Sequence, residues 1–463
     1  MKIFKNYFPL IAIGLSSFLL TFILHFFGAF SSIESKIYDM RFKIRGPLIG
    51  WDSKYSKSKI PEEFIDLNNN KIWDNGEEFK DIGIVFFPTN PHALPDLTLY
   101  FVAKYFGIKT IISHVTYIGN YHVLRTGWET KLRLKKNLKK GNRKLTGSIL
   151  KESNFTKILK SYNVESFNQS NESRIRDFFH NIRCIIGCIK LVCKSKLLNK
   201  KINWGQSGLL SVKNPSLLSV IKVHIENIHA KQKIKNKYKL LKCDPDLEKK
   251  YIYHPLHFQP ESNTIPEANI FSDQLLIVSE LSKNLPKEIE KVYVKEHPVQ
   301  FRKKPYNLET IWARNEYFYE EIVAFDNVVL IDPYFDSESL IRLSEAVATA
   351  NGSSGWEALK INKPALLFGN PWYSACQNCG VYSSEVNFMK EIERVIKLSE
   401  EERASNLKQF LSDLDPYVFN SISTIREKIP EKEENQIIEE AAEKIINVVN
   451  GKDKYSFIDN IDS

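Results

Sequence analysis

The chain of 463 residues has only six cysteines, and they are scattered. Structural thiols in a reducing compartment are the expectation. Cys376-Gln377-Asn378-Cys379 is a lone C-x-x-C, without a second pair or nearby histidine ligands. No zinc-finger spacing, RNP-like motif or internal repeat is present, so nucleic acid is not an expected partner. Charge is missing altogether from residues 6–33. The run 7–30 within it is long enough to cross a hydrocarbon core, which predicts one membrane helix. A small-residue cleavage site is missing too, since Gly28-Ala29-Phe30-Ser31 is a poor one, and this argues for an uncleaved anchor over a secretory signal.

What is present is a globular composition, 43% hydrophobic, in a chain long enough for two or three domains. Lys36, Arg41, Lys43 and Arg45 after the apolar run outnumber Lys2 and Lys5 before it, which predicts a cytoplasmic C-terminal side at the inner membrane. The formal net charge of +10 points to an anionic partner: lipid head groups, a phosphorylated acceptor or an acidic glycan. Basic residues crowd at 131–144, 194–201 and 231–242. Most of them read as solvated helix faces, but near an anionic membrane each lysine adds about 1 kcal/mol of attraction.

Asp66, Asn68, Asn70, Asp74 and Glu77 stand at positions 1, 3, 5, 9 and 12 of a calcium-type loop. Lys71 occupies the sixth position, where the sharp turn calls for glycine. A solvated Asn/Asp turn and a structural calcium site are both open readings. No other metal or cofactor is expected.

The stretch 251–373 organises the rest. Its pattern predicts strands at 251–255, 291–295, 328–331, 346–350 and 365–368, alternating with helices at 273–283, 308–322, 337–343 and 354–360. That alternation specifies a doubly wound parallel sheet, in which ligands bind at the carboxyl ends of the strands. Lys295-Glu296-His297-Pro298 and Asn351-Gly352-Ser353-Ser354-Gly355-Trp356-Glu357 follow two of those strands. Gly352 admits close backbone approach, the hydroxyls of Ser353 and Ser354 can donate, and the following helix offers its free N–H groups to a phosphate. His297 is suited to donate to that phosphate or protonate it. Glu357, a turn into the helix, is placed to reach a ribose, and Gln259 and Lys295 to touch phosphate or base. Upstream, 82–118 alternates strand, helix and strand, with His92 and Asp96 at the loop and helix start after the first strand. Either residue is a candidate base for an acceptor, though Asp96 also suits a helix N-terminus.

These pieces carry a resemblance. His257-Phe258-Gln259-Pro260-Glu261, Val294-Lys295-Glu296-His297-Pro298, Gly352-Ser353-Ser354-Gly355-Trp356-Glu357-Ala358-Leu359 and Lys363-Pro364 with Phe368-Gly369 resemble the capsule polysaccharide biosynthesis family, bacterial glycosyltransferases similar to the capsule β-Kdo transferases. Phe86-Phe87-Pro88-Thr89-Asn90-Pro91-His92 resembles that family's acceptor half, so the likeness spans about 82–400. It implies an α/β fold of the GT-B type, two Rossmann-like domains facing a cleft. It also implies transfer of a sugar, Kdo or another acidic one, from a CMP-sugar to a capsule or surface-glycan acceptor, and a ribose contact for Glu357. The His-Pro and paired-serine motifs are similar as well to those of the CDP-alcohol phosphotransferases of teichoic acid synthesis. Ser35-Lys36-Ile37-Tyr38-Asp39-Met40-Arg41 opens like a CHASE2-type sensor domain, which leaves a non-catalytic glycan-binding or sensor protein as a third reading. The expected division is an anchor at 1–34, a linker at 35–81, an acceptor-side domain with a basic helical insertion at 82–245, a donor-binding domain at 246–385, and helices packing back on the first domain at 386–463.

Overall fold

The structure is a computed structural model. It describes residues 84–92, 94–129, 216–259, 263–301, 314–421 and 431–450, together with 132, 134, 261 and parts of 182–213. By its contacts the chain divides into two compact units, 1–74 and 75–463, and the described residues belong to the second. The apolar run 7–30, the sensor-like segment, the calcium-type loop and most of the basic clusters at 131–144 and 194–201 lie outside the described residues. Among the described residues no helix is long and apolar enough to cross a membrane.

The first half begins with β1 (Ile84–Phe87), α1 (Leu94–Tyr105) and β2 (Lys109–Val115), with β1 and β2 parallel. Tyr100 and Ala103 of α1 pack on Val85, Phe87, Ile112 and Trp128. The helix stops at Gly107, whose φ of +68° lets the N–H of Ile108 reach Ala103 O and its own N–H reach Lys104 O. After β2 the chain turns back through Gly119 at φ +46° into β3 (Tyr121–Arg125), which pairs antiparallel with β2. A hairpin this short can only join antiparallel strands. The described sheet of this half is therefore mixed, which departs from the wholly parallel sheet of a Rossmann-like domain. A separate antiparallel pair, β4 (Lys201–Trp204) and β5 (Leu210–Lys213), precedes the long α2 (Leu217–Leu241).

The second half runs β6 (Tyr251–Pro255), α3 (Gln274–Lys283), β7 (Lys291–Lys295), α4 (Glu316–Val323), β8 (Val328–Ile331), α5 (Ser337–Leu343), β9 (Ala346–Thr349), α6 (Ser353–Lys360), β10 (Ala365–Leu367) and β11 (Cys379–Val381). All five pairings of this six-stranded sheet are parallel, in the order β11-β10-β9-β6-β7-β8. Successive side chains of a strand point to opposite faces. Ile252, Val292, Val294, Ala346 and Ala348 accordingly pack with α2, α3 and α4 through Tyr238, Ile277 and Tyr319. Tyr251, Tyr253, Tyr293 and Val347 pack on the other face with Leu340 of α5 and Ala358 of α6. Both faces are buried, as a parallel sheet requires, and each of the larger aliphatic side chains among them contributes about 1.5–3 kcal/mol.

Then follow α7 (Phe388–Ile396), α8 (Glu400–Leu414), β12 (Phe419–Asn420) and α9 (Glu431–Val449). α7 covers the sheet of the second half, with Phe388, Ile392 and Val395 in its core. β12 adds to β3 of the first half, and Val448 of α9 packs there on Ile111, Leu124 and Phe419. A shared core joins the halves: Ile118, Val123 and Leu132 meet Trp356, Trp372 and Tyr373 together with Phe410 and Leu414 of α8.

Candidate active site

The strand order puts the first strand of the second half, β6, beside the fourth, β9, with the chain winding outward from them in both directions. Between two such strands the following loops leave towards opposite faces and open a crevice at the carboxyl edge. Because the sheet is parallel, the loops after β6, β7 and β9 share that edge.

His257, in the loop after β6, is buried in this crevice. The N–H of Ala350 donates to its Nε2 at 3.2 Å, and the Thr349 hydroxyl lies 2.9 Å from the same atom. Burial pushes its pKa down to about 3, and the neighbouring His254, His297 and Arg314 push the same way. The ring is therefore neutral and acts as a prop. It supports Gly352, where an added Cβ would lie 2.5 Å from His257 Cε1.

Gly352 is also the N-cap of α6. In α3, α4, α5, α7 and α8 the residue at that place is Asp273, Asn315, Asp336, Asn387 or Ser399, whose side chain accepts from a first-turn N–H. In α6 the glycine provides no side-chain cap. The opening N–H groups of a helix have no intrahelical acceptor, and the positive end of the helix dipole lies there, so this end suits an anion. Tyr373 holds it from below by donating its hydroxyl to Gly352 O at 2.5 Å, and a Cβ on Gly355 would strike that hydroxyl. Ser353 and Ser354 are half-buried, and Ser353 donates to Glu357 Oε1 at 2.8 Å. Burial raises the Glu357 carboxyl above its usual range, against the pull of that bond, Lys360 and Lys295.

His297 follows β7 and is exposed, its ring centroid 6.0 Å from that of Phe258. The N–H of Val299 donates to its Nδ1 at 3.3 Å. β6 stands between β7 and β9, so two strand spacings, about 10 Å, separate the two motif strands. His297 and the Gly352-Ser353-Ser354 turn thus flank His257 on one edge.

Gln259 and Lys295, expected to touch a ligand, are instead engaged with the protein. Gln259 is buried, donates to Ser272 O at 2.7 Å and accepts from Arg314 Nη1. Lys295 is buried and donates to Phe335 O at 2.9 Å and to the Ser337 hydroxyl. Burial lowers its pKa to about 8, while Asp336, Asp332 and Glu357 pull it back up. The physical reason for both is the same: Lys295 at the end of β7 and Gln259 in the loop after β6 are buried, and a buried polar side chain has to find partners inside. Arg314, unmarked by any motif, is the hub. Its Nε donates to Glu296 Oε2 at 2.6 Å and its Nη2 to His257 O at 3.1 Å, so one buried guanidinium fixes the loops after β6 and β7. The Tyr319 hydroxyl donates to the same Glu296 oxygen at 2.7 Å.

The first half meets the loop after β6. The His92 ring donates from Nδ1 to Asn90 O at 2.8 Å. Burial raises the pKa of Asp96 at the start of α1, and the charge of His92 opposes that rise. His92 acts in the same way on Glu261 of the second half, which puts all three groups within electrostatic reach. Asn90 bridges the halves, its Nδ2 donating to Glu267 Oε1 at 2.5 Å while its Oδ1 accepts from His114 Nδ1 at 3.0 Å. Glu267 is buried, and burial lifts its pKa to about 7. Arg125 Nη1 adds a second bridge to Asn370 O at 2.6 Å. Nothing in the sequence pattern singled out Arg125 or Glu267, and Asn90 stood in the Phe86–His92 motif without a role of its own, because each acquires its role by contact across the halves. Among the described residues no group of three or more His, Cys, Asp or Glu side chains is arranged to hold a metal ion.

Residues 268–377 match the family model described as "Capsule polysaccharide biosynthesis protein". The resemblance read from the sequence is thus found independently over the region that carries α3 to α6 and the Gly352-Ser353-Ser354 turn. No curated protein matches the chain. Among solved structures, the chain is similar to the KpsC beta Kdo 2,7 transferase of Thermosulfurimonas dismutans, at 16% identity and a TM-score of 0.26, over 50% of this chain and 66% of that one. It is similar to the beta Kdo 2,4 transferase of the same organism at 18% identity and a TM-score of 0.24, over 47% of this chain and 63% of that one. A wall teichoic acid polymerase TagF variant is similar at 12% identity and a TM-score of 0.21, over 48% and 51%. The chain therefore spans just under two thirds of the two Kdo transferases, and likeness of this degree says nothing about its substrate.

Proposed function

With the capsule polysaccharide biosynthesis match centred on the switch-point crevice, we propose that the protein is a glycosyltransferase of the GT-B type. It transfers a sugar, Kdo or another acidic one, from a CMP-sugar to a capsule or surface-glycan acceptor. The observation that supports this best is the carboxyl edge of the second sheet. An uncapped helix N-terminus with two hydroxyls stands on one side of a neutral His257, and His297 stands on the other.

A nucleoside monophosphate leaving group fits that arrangement. The N–H groups of the α6 start and the hydroxyls of Ser353 and Ser354 hold the phosphate by preorganised donors, which need no reorganisation as charge develops. His297 donates to the departing oxygen. The acceptor hydroxyl attacks the anomeric carbon, the bond from that carbon to the phosphate oxygen breaks, and the acceptor's proton passes to Asp96 or His92. Asp96 suits this role because its raised pKa makes it a stronger base than an ordinary aspartate. The scheme calls for no metal. The cytoplasmic face of the inner membrane, reached through the 7–30 run as anchor, is the compartment that fits a nucleotide-linked donor.

The experiment is release of cytidine nucleotide from a panel of CMP-sugars and CDP-alcohols by the full chain. CMP from a CMP-sugar supports the proposal. CMP from a CDP-alcohol alone reassigns the crevice to phosphotransfer, and binding without release makes the protein a receptor.

A further inference from the structure

The outward face of α1 is aromatic where a surface helix ordinarily carries polar residues. Tyr100 and Ala103 point inward and are fully buried. Phe101 is 54% exposed, Tyr105 84% and Phe106 53%. Phe101 and Tyr105 are four residues apart and so neighbours on one helix face. Tyr105 meets Phe106 edge-on with ring centroids 5.1 Å apart, and Phe101 meets Trp128 edge-on at 6.1 Å. Lys104 and Lys109 are exposed beside them; no carboxylate occurs in the chain between Asp96 and Lys109, and the acidic group on this side, Glu129, accepts from the Tyr100 hydroxyl at 2.8 Å.

We infer that this end of α1 docks on an anionic lipid bilayer, with Phe101, Tyr105 and Phe106 entering the head-group region and Lys104 and Lys109 meeting lipid phosphates. Aromatic side chains flanked by lysine are suited to that boundary, where one end of the side chain is in hydrocarbon and the other in water. A second copy of the chain fits less well. The three exposed rings offer on the order of 400 Å², whereas a stable protein interface buries about 800 Å² per partner. The docked helix would hold its other end, Asp96, about 13 Å along the axis from Tyr105. Resting on the glycosyltransferase reading, this places the acceptor wall of the crevice within reach of a glycan on a lipid carrier.

The test uses the full chain in nanodiscs, with Tyr105 exchanged for the photoreactive residue p-benzoylphenylalanine and, as control, Lys390 on α7 exchanged likewise. On irradiation in phosphatidylglycerol nanodiscs, lipid adducts are expected at 105 at least tenfold more often than at 390. Phosphatidylcholine should lower the yield at 105 several-fold, since each lysine near an anionic surface is worth about fivefold. Equal adduct yields at 105 and 390, or crosslinks at 105 to a second protein chain in place of lipid, would overturn the inference. This readout needs no catalysis, so it stands or falls apart from the assigned reaction. A second arm, the triple variant Phe101→Ser, Tyr105→Ser, Phe106→Ser, should lose tenfold or more turnover on a lipid-embedded acceptor while keeping donor hydrolysis. Equal loss of both would overturn docking as the cause.

Discussion

His257 and Gly352 are packed so closely that a methyl group on the glycine would lie 2.5 Å from the imidazole Cε1 and 2.8 Å from Thr349 Oγ1. The ring is held in turn by the N–H of Ala350, so it cannot swing aside without losing a bond at the end of β9. Gly352→Ala is therefore expected to shift the start of α6, weaken CMP binding by tenfold or more and destabilise the fold by about 1–3 kcal/mol. Calorimetric titration with CMP and urea unfolding check the two parts. An alanine variant with full affinity would show that the turn does not need its close approach.

Arg314 supports the site from behind. With Glu296 it forms an ion pair of 2.6 Å in which both side chains are almost wholly buried. Arg314→Met leaves the Glu296 carboxylate without its cation, which typically costs about 3–5 kcal/mol. Lysine cannot replace the planar fork that reaches Glu296, Gln259 and His257 O together, so Arg314→Lys should recover less than half of the loss. Urea midpoints of the three proteins decide this.

Glu267 gives the junction of the halves a pH dependence of known sign. Its pKa rises from an ordinary 4.5 to about 7 in the folded protein, chiefly through burial, with Glu261 adding and Asn90 and Arg125 opposing. Below 4.5 the group is neutral folded or unfolded. Between 4.5 and 7 the unfolded chain ionises first, so its contribution to stability is lost as pH rises and stays lost above 7. The shift is worth about 3 kcal/mol at most. Glu267→Gln should accordingly gain stability relative to wild type on going from pH 5 to pH 8. Denaturant unfolding at both values measures the difference, and a constant offset between the two proteins would contradict it.

Much of the second half is legible in the sequence. The predicted strands at 251–255, 291–295 and 328–331 are β6, β7 and β8 to the residue, because their continuous β-branched and aromatic runs are buried on both faces. The uncapped start of α6 at Gly352-Ser353-Ser354 was visible for a comparable reason, since a glycine before a helix is a local signal. β11 was missed, and its three residues include Cys379, half of the C-x-x-C, which packs as an ordinary buried thiol. The part of Arg314, Asn90 and Glu267 is invisible without coordinates, since each meets partners distant in the chain: Asn90 and Glu267 lie 177 residues apart. The protein partners of Gln259 and Lys295 were not legible either, since they lie on segments that are distant in the chain, Arg314 for one and Phe335 and Ser337 for the other.

The most direct test is a double-mutant cycle on CMP affinity, using His297→Ala, Ser353→Ala and the two combined, by calorimetric titration of the full chain. If the imidazole and the hydroxyl grip one phosphate, each single change should weaken CMP about tenfold, and the double change should depart from the product of the two by threefold or more. Unchanged affinity in both single variants would contradict the account at its root.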